Sequence, residues 1–188
     1  MIDREKIERA VLSIIEAIGD EPEREGLEGT PRRVAQMYSE FFSGLEHDPV
    51  EVLATGFEEG HREMVVIKGI SFYSICEHHL LPFYGNASVG YVPKGRVVGA
   101  SKLVRSLDIL ARRPQLQERL TSQIADTLMR ALEPDGVAVA LEAEHLCMTM
   151  RGVKKPGSRM VTSAMRGTFQ SQIETRNEFL ALVRPGRA

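Results

Sequence analysis

Apolar residues in the N-terminal part of the chain recur at spacings of three and four. Ile7, Ala10, Val11, Ile14, Ile15 and Ile18 share one face of a helix over residues 3–18, with Glu and Arg between them. Gly19-Asp20 ends that pattern, and a polar loop follows to Gly29. Thr30-Pro31 predicts a second helix, with Thr as N-cap and Pro at the first helical position. Its inward side is Val34, Met37, Tyr38, Phe41 and Phe42, and Gly44 is its expected end. A short helix is expected over residues 49–54.

From Met64 the period changes from helical to alternating. Residues 64–67 and 70–75 read as strand, broken or bulged near Gly69. Residues 83–92 form a second strand, and Pro93-Lys-Gly95 turns into a third at residues 96–99. Two amphipathic helices are expected next, over residues 101–112 and 114–132. The second carries the stripe Leu116, Leu120, Ile124, Leu128 and Leu132. Pro134-Asp-Gly136 turns into a long strand over residues 137–151. A strand over 160–169 and a helix over 171–183 complete the pattern. Strand pairs, a helix pair, further strands and a last helix predict an α+β fold with a mainly antiparallel sheet. The division expected is an N-terminal helical region, 1–63, and a second domain, 64–188.

Composition, targeting signals and charge each add to this picture. The 188 residues include only two cysteines, which is no disulfide framework and fits reduced thiols. The charged N-terminus is unlike a signal peptide and no apolar run is long enough to span a bilayer, so a cytoplasmic location is expected. The net charge of -2 hides a split: acidic residues dominate 1–63, and basic residues dominate 64–188. A basic second part suits an anionic ligand, or a complementary surface within an oligomer.

Thiol and imidazole are concentrated in two short runs, Cys76-Glu-His-His79 and His145-Leu-Cys147. Alternation along a strand over 137–151 puts His145, Cys147 and Arg151 on one face, continuing an apolar stripe. Cys76 and His79, just before Leu80-Leu-Pro82, have the spacing at which a turn presents both to one ion. Cys76, His79 and Cys147 give two thiolates and an imidazole, the donor set of a zinc site with an open position. His78 and His145 are then left for proton transfer. A closed structural site, with His78 or His145 as fourth ligand, is the alternative. Ser101, Lys102 and Arg105 share a face at a helix start and are candidates for a phosphate. Arg151, Arg33 and Lys154-Lys155 are weaker candidates for the same anion. Gln117 and Glu118 lie off the apolar stripe of their helix; a solvated carboxylate is the plain alternative there, and a buried one would suit the parallel donors of a guanine.

These runs resemble the GTP cyclohydrolase I family. The resemblance is carried by Thr30-Pro-Arg-Arg-Val-Ala-Gln-Met-Tyr38, Ser74-Ile-Cys-Glu-His-His79, Gly90-Tyr-Val-Pro93 and Gly99-Ala-Ser-Lys102. It continues through Arg113-Pro-Gln-Leu-Gln-Glu-Arg-Leu-Thr121, Glu142-Ala-Glu-His-Leu-Cys-Met148 and Thr175-Arg-Asn-Glu-Phe179. It implies a tunnelling fold (T-fold) in which sheets of several subunits join into a barrel. It also implies a decamer of two pentamers with active sites between subunits, and conversion of GTP to 7,8-dihydroneopterin triphosphate and formate. By the same resemblance Cys76, His79 and Cys147 hold Zn2+, and His78 and His145 are the acid–base pair, with Ser101 also catalytic. Glu118 with Gln117 anchors guanine; Lys102, Arg105 and Arg151, with Arg33, take the ribose and triphosphate. Two rivals are a nitrile reductase on the same fold, whose NADPH-associated motif is absent from the sequence, and a zinc-stabilised binding protein without catalysis.

Overall fold

The computed structural model describes residues 1–184, an α+β chain built on one five-stranded sheet. Helix α1 (Arg4–Ala17) is capped by the Asp3 carboxylate, which accepts from the Lys6 amide, and α2 (Thr30–Phe41) packs on it. Of the apolar stripe of α1 only Val11 and Ile15 are buried, and Ile14 and Ile18 face solvent. The N-cap of α2 is Gly29 rather than Thr30, because the Thr30 hydroxyl accepts from Arg33 instead of capping the helix. Two 3-10 turns, Ser43–Glu46 and Glu51–Leu53, follow α2, which ends at Phe41, short of Gly44.

Strand β1 (Gly56–His61) was not expected from the sequence, since its Gly-Phe-Glu-Glu-Gly-His run has no apolar alternation. It pairs antiparallel with β4 (Gly95–Val98) in a separate two-stranded sheet. The third strand read from the sequence is therefore real but lies outside the main sheet.

The main sheet has the order β5-β2-β3-β6-β7. Strands β2 (Val65–Cys76) and β3 (Pro82–Val92) form a long antiparallel pair. Its register shifts between Ile67 and Ile70, where Gly69 takes φ 72°, so the expected break is a bulge within one strand. Strands β6 (Gly136–His145) and β7 (Met160–Gly167) continue the antiparallel order. The two-residue β5 (Pro114–Gln115) pairs parallel to the end of β2.

Helices α3 (Ala100–Ala111) and α4 (Gln117–Leu132) cover one face of the sheet. The core between them takes Phe72, Phe83, Val89, Tyr91, Leu107, Leu120, Leu128, Val139 and Leu141. Residues Val137, Val139, Leu141, Ala143 and His145 are all buried, as strict alternation on β6 requires. On the other face α6 (Thr168–Ser171) and α7 (Ile173–Val183) bury Phe169 and Phe179 against Ala138. A Cβ at Gly90 would stand 2.8 Å from the Phe179 ring, so a glycine is needed at that crossing.

Two further expectations are corrected. The helix expected from residue 114 begins at Gln117, because Pro114 and Gln115 are taken up in pairing with Ile75 and Cys76. The strand expected to reach residue 151 ends at His145; Leu146–Thr149 is a helical turn, α5. Cys147 and Arg151 therefore do not continue the inward stripe. The final helix is likewise two pieces, α6 and α7, rather than one from residue 171.

Candidate metal centre and active site

The ends of β2, β3 and β6 meet at one edge of the molecule. Cys76 closes β2, and residues 77–81 turn the chain back into β3. That turn is fixed by its own backbone: the Leu80 amide donates to Cys76 O, and the Cys76 amide donates to Leu81 O, each at 2.9 Å. Leu80 takes φ 52°, a left-handed conformation that a branched side chain adopts only under external constraint. One strand further, Phe83 of β3 lies directly opposite His145 of β6 in register. Two residues beyond His145, the first turn of α5 carries Cys147 back toward Cys76.

The result is a compact donor group. The ligand atoms of Cys76, His79 and Cys147 all lie within 4.8 Å of one another. Tetrahedral zinc with two sulfurs and one nitrogen asks for donor separations of about 3.5–3.8 Å, so small side-chain shifts suffice to receive the ion. Cys76 is buried, Cys147 partly so, and His79 is exposed, which leaves one side open to solvent. Burial and the adjoining Cys76 raise the Cys147 thiol above its ordinary pKa, while nearby Arg151 opposes that shift. Two crowded thiols resist joint ionisation, and a divalent cation between them reverses this. The donor chemistry fits zinc. His78 is exposed, next to His79 with the rings edge to face, and is outside the three-residue group.

His145 is held on two sides. Its ring stacks on Phe83, centroids 4.6 Å apart and planes 1° from parallel. Its Nε2 lies 2.8 Å from Oε1 of Gln117. Burial lowers its pKa below the usual histidine range, and the Glu118 carboxylate pulls the other way.

The first three residues of α4 face this edge because β5 ties the helix start to the metal turn. The Glu77 amide donates to Gln115 O at 3.0 Å, and α4 begins two residues later. Gln117 is 1% exposed, so it is a buried group rather than part of a polar rim. Glu118 is exposed and remains available to a ligand, so the buried carboxylate considered for guanine is not present in the single chain. Arg119 grips Glu77 with two hydrogen bonds, 2.5 and 2.8 Å, and this ion pair lowers the Glu77 pKa. Neither the Glu77–Arg119 pair nor the Phe83–His145 stack was anticipated. The only sequence signal for the first is a charged residue inside the Cys-Glu-His-His run.

The anion candidates are elsewhere in the chain. Ser101 and Arg105 are exposed and Lys102 half-buried at the start of α3, whose N-cap is Gly99. The far end of α3 adjoins the metal turn, where the buried Ser74 hydroxyl donates to Ala111 O at 2.7 Å. Helical rise puts Lys102 about 13 Å along the axis from Ala111. One chain thus separates the metal end from the basic end of α3. Arg33 donates to Thr30 Oγ1 and Gly26 O within its own arm. Arg151 is exposed near Cys147.

Fold and cluster together define an α+β protein with a solvent-open Cys-His-Cys group of metal-ligand type and a buried, oriented histidine two residues from one of its thiols. The chain belongs to the GTP cyclohydrolase I family, a family of hydrolases, whose sequence profile matches residues 7–184. It is 63% identical over 185 residues to GTP cyclohydrolase 1 of Pelotomaculum thermopropionicum, covering 98% of each chain. GTP cyclohydrolase 1 of Dehalococcoides mccartyi strain CBDB1 is 60% identical over 97% of this chain and 98% of its own. That of Caldanaerobacter subterraneus subsp. tengcongensis is 59% identical over 188 residues, the whole of both. Among solved structures, the archaeosine synthase QueF-Like in its apo form overlaps 55% of this chain and 93% of its own at TM-score 0.45 and 22% identity. No helix among the described residues is long and apolar enough to cross a membrane.

Proposed function

We propose that this chain is a zinc-dependent GTP cyclohydrolase I, converting GTP and water to 7,8-dihydroneopterin triphosphate and formate. The observation that carries the reading is the Cys76, His79 and Cys147 donor group with His145 oriented beside it. Cys76, His79 and Cys147 hold the metal in this proposal. When bound, zinc supplies Lewis acidity and makes water nucleophilic near neutral pH.

The protein's own groups do the rest. The Glu118 carboxylate, free at the start of α4, accepts from N1–H and the exocyclic amine of guanine and turns C8 of the base toward the cluster. His145 delivers a proton to N7 as water adds at C8 and the imidazole ring opens. Hydrolysis of the resulting formamide releases C8 as formate. Opening of the ribose, its rearrangement and closure to the pterin need further proton transfers, assigned to His78 and Ser101. Lys102, Arg105 and Arg151, with Arg33, neutralise the triphosphate.

In this proposal a complete site draws the basic end of α3 and the metal end from different subunits. Two observations support an assembly through sheet edges. Among the described residues, β7 pairs only with β6, and β2 before Ile75 has no strand partner on its outer side. A barrel of T-fold subunits in a decamer of two pentamers removes those edges. In this arrangement residues 64–188 are the catalytic domain and 1–63 an arm, and the protein works in the cytoplasm.

The test is direct. Purified, zinc-loaded protein incubated with GTP should release formate and give a product that fluoresces as a pterin after oxidation. Absence of both with full metal occupancy would leave a metal-stabilised binding protein as the reading.

A further inference from the structure

Gln117 sits in a hydrogen-bond network whose directions are all forced. Its Nε2 lies 3.0 Å from Met160 O and 3.0 Å from Thr162 Oγ1, with Leu141 O at 3.3 Å. Backbone carbonyls only accept, so the amide must present its NH2 end to them. Flipping it would aim an oxygen at two carbonyl oxygens in a site where Gln117 is 1% exposed. The hydroxyls agree with this orientation. Thr121 donates to Gln117 O at 2.6 Å, so across the 2.7 Å contact between the two threonines Thr162 is the donor. The Thr162 oxygen is then an acceptor toward Gln117.

The amide oxygen that remains faces His145 Nε2 at 2.8 Å, and an amide oxygen offers no proton. His145 must therefore carry a hydrogen on Nε2. Phe83 fixes the plane of the ring and Gln117 its rotation within that plane. Among the described residues, Nδ1 has no hydrogen-bond partner.

We infer that Gln117 is a positioning residue: it locks His145 as the Nε2–H tautomer, which makes Nδ1 the ring nitrogen that takes up a proton and passes it to the substrate. The inference rests on the reading of His145 as the acid–base group of a cyclohydrolase. It also moves Gln117 away from guanine, because every polar atom of its side chain is engaged within the protein. Glu118 then meets the base without it.

The experiment joins a spectrum to kinetics. In the full chain loaded with zinc and labelled with 15N-histidine, the signal lost on His145→Ala identifies this ring. Its neutral form should show a protonated Nε2 and an unprotonated Nδ1. Gln117→Leu should turn that signal toward a mixture of tautomers and lower kcat about 10- to 100-fold, a part of what a general acid–base group contributes. KM for GTP should stay within about twofold and metal content should not change. Thr162→Val, which loosens Gln117 without removing it, should move both readouts the same way by less, and serves if the leucine variant does not fold. A His145 protonated on Nδ1 in the unaltered protein overturns the inference. So does a variant that keeps its kcat, or one whose loss lies in KM, which would return Gln117 to the guanine. An unaltered protein inactive on GTP removes the cyclohydrolase reading alone, since the ring spectrum still decides the tautomer.

Discussion

His145 and Cys147 stand two positions apart and reach the same edge by different means. His145 is the last residue of β6, on the buried face with Val137, Val139, Leu141 and Ala143. Cys147 comes from the helical turn after it. Side-chain period alone puts both on one strand face; the structure brings Cys147 to that edge through a helical turn instead. If the donor group binds zinc as proposed, Cys147→Ser should abolish stoichiometric zinc, read by atomic emission on dialysed protein, together with activity. His78→Ala should keep the metal and lose turnover by roughly 10²–10⁴-fold, the usual weight of a general acid–base group. Loss of zinc in the alanine variant would make His78 a fourth ligand and the site a closed one. Each of these side chains was legible in the sequence because Cys and His are scarce in this chain and clustered.

At the scale of elements, the important piece is the shortest. Two residues of β5 bond to the end of β2 and hold the start of α4 against the metal turn. From that start Gln117 reaches His145 and Arg119 reaches Glu77. No periodicity announces a two-residue strand, and a proline followed by polar residues reads as a helix start. Arg119→Met should free the turn on one side and weaken zinc about 10- to 100-fold in a chelator competition, the scale of outer-shell partners at metal sites. An unchanged affinity would make the Glu77 pair a surface contact only. The bulge is a second element-scale test. Gly69 has φ 72° and nothing within 4 Å of its missing Cβ, so Gly69→Ala meets no clash and reports backbone strain alone. It should cost about 1–2 kcal/mol in urea unfolding. Phe179→Ala, by contrast, removes a ring that is 0% exposed and should cost about 3–5 kcal/mol by the same measurement.

For the whole molecule, a site shared between subunits, as proposed, makes a prediction that a single-chain site would not. A Cys147→Ser chain and a Lys102→Ala, Arg105→Ala chain should each be inactive alone. Unfolded and reassembled together, they should regain activity, because about a quarter of randomly paired interfaces join an intact metal end to an intact basic end. No recovery from mixed assemblies, verified as mixed by native mass spectrometry, would place both halves of the site in one subunit. The charge split between residues 1–63 and 64–188 is compatible with complementary surfaces in an assembly, and it does not distinguish the two ends of α3, both of which lie in 64–188.

The sequence by itself determined the elements whose apolar period is long: α1, α3, α4, the β2–β3 pair and most of β6. Those patterns follow from burying one face, which is a local property of the chain. It also determined the metal-type donors, because their chemistry is in the residue type. Tertiary structure alone decided where the pattern stops and what the polar residues touch. Pairing with β2 shortened α4, and pairing with β4 created β1 from residues without strand character. The orientation of Gln117 came from Met160, Leu141 and Thr162, all distant in sequence, and through Gln117 they orient His145. A hydrogen-bond direction depends on partners that only the folded chain brings together.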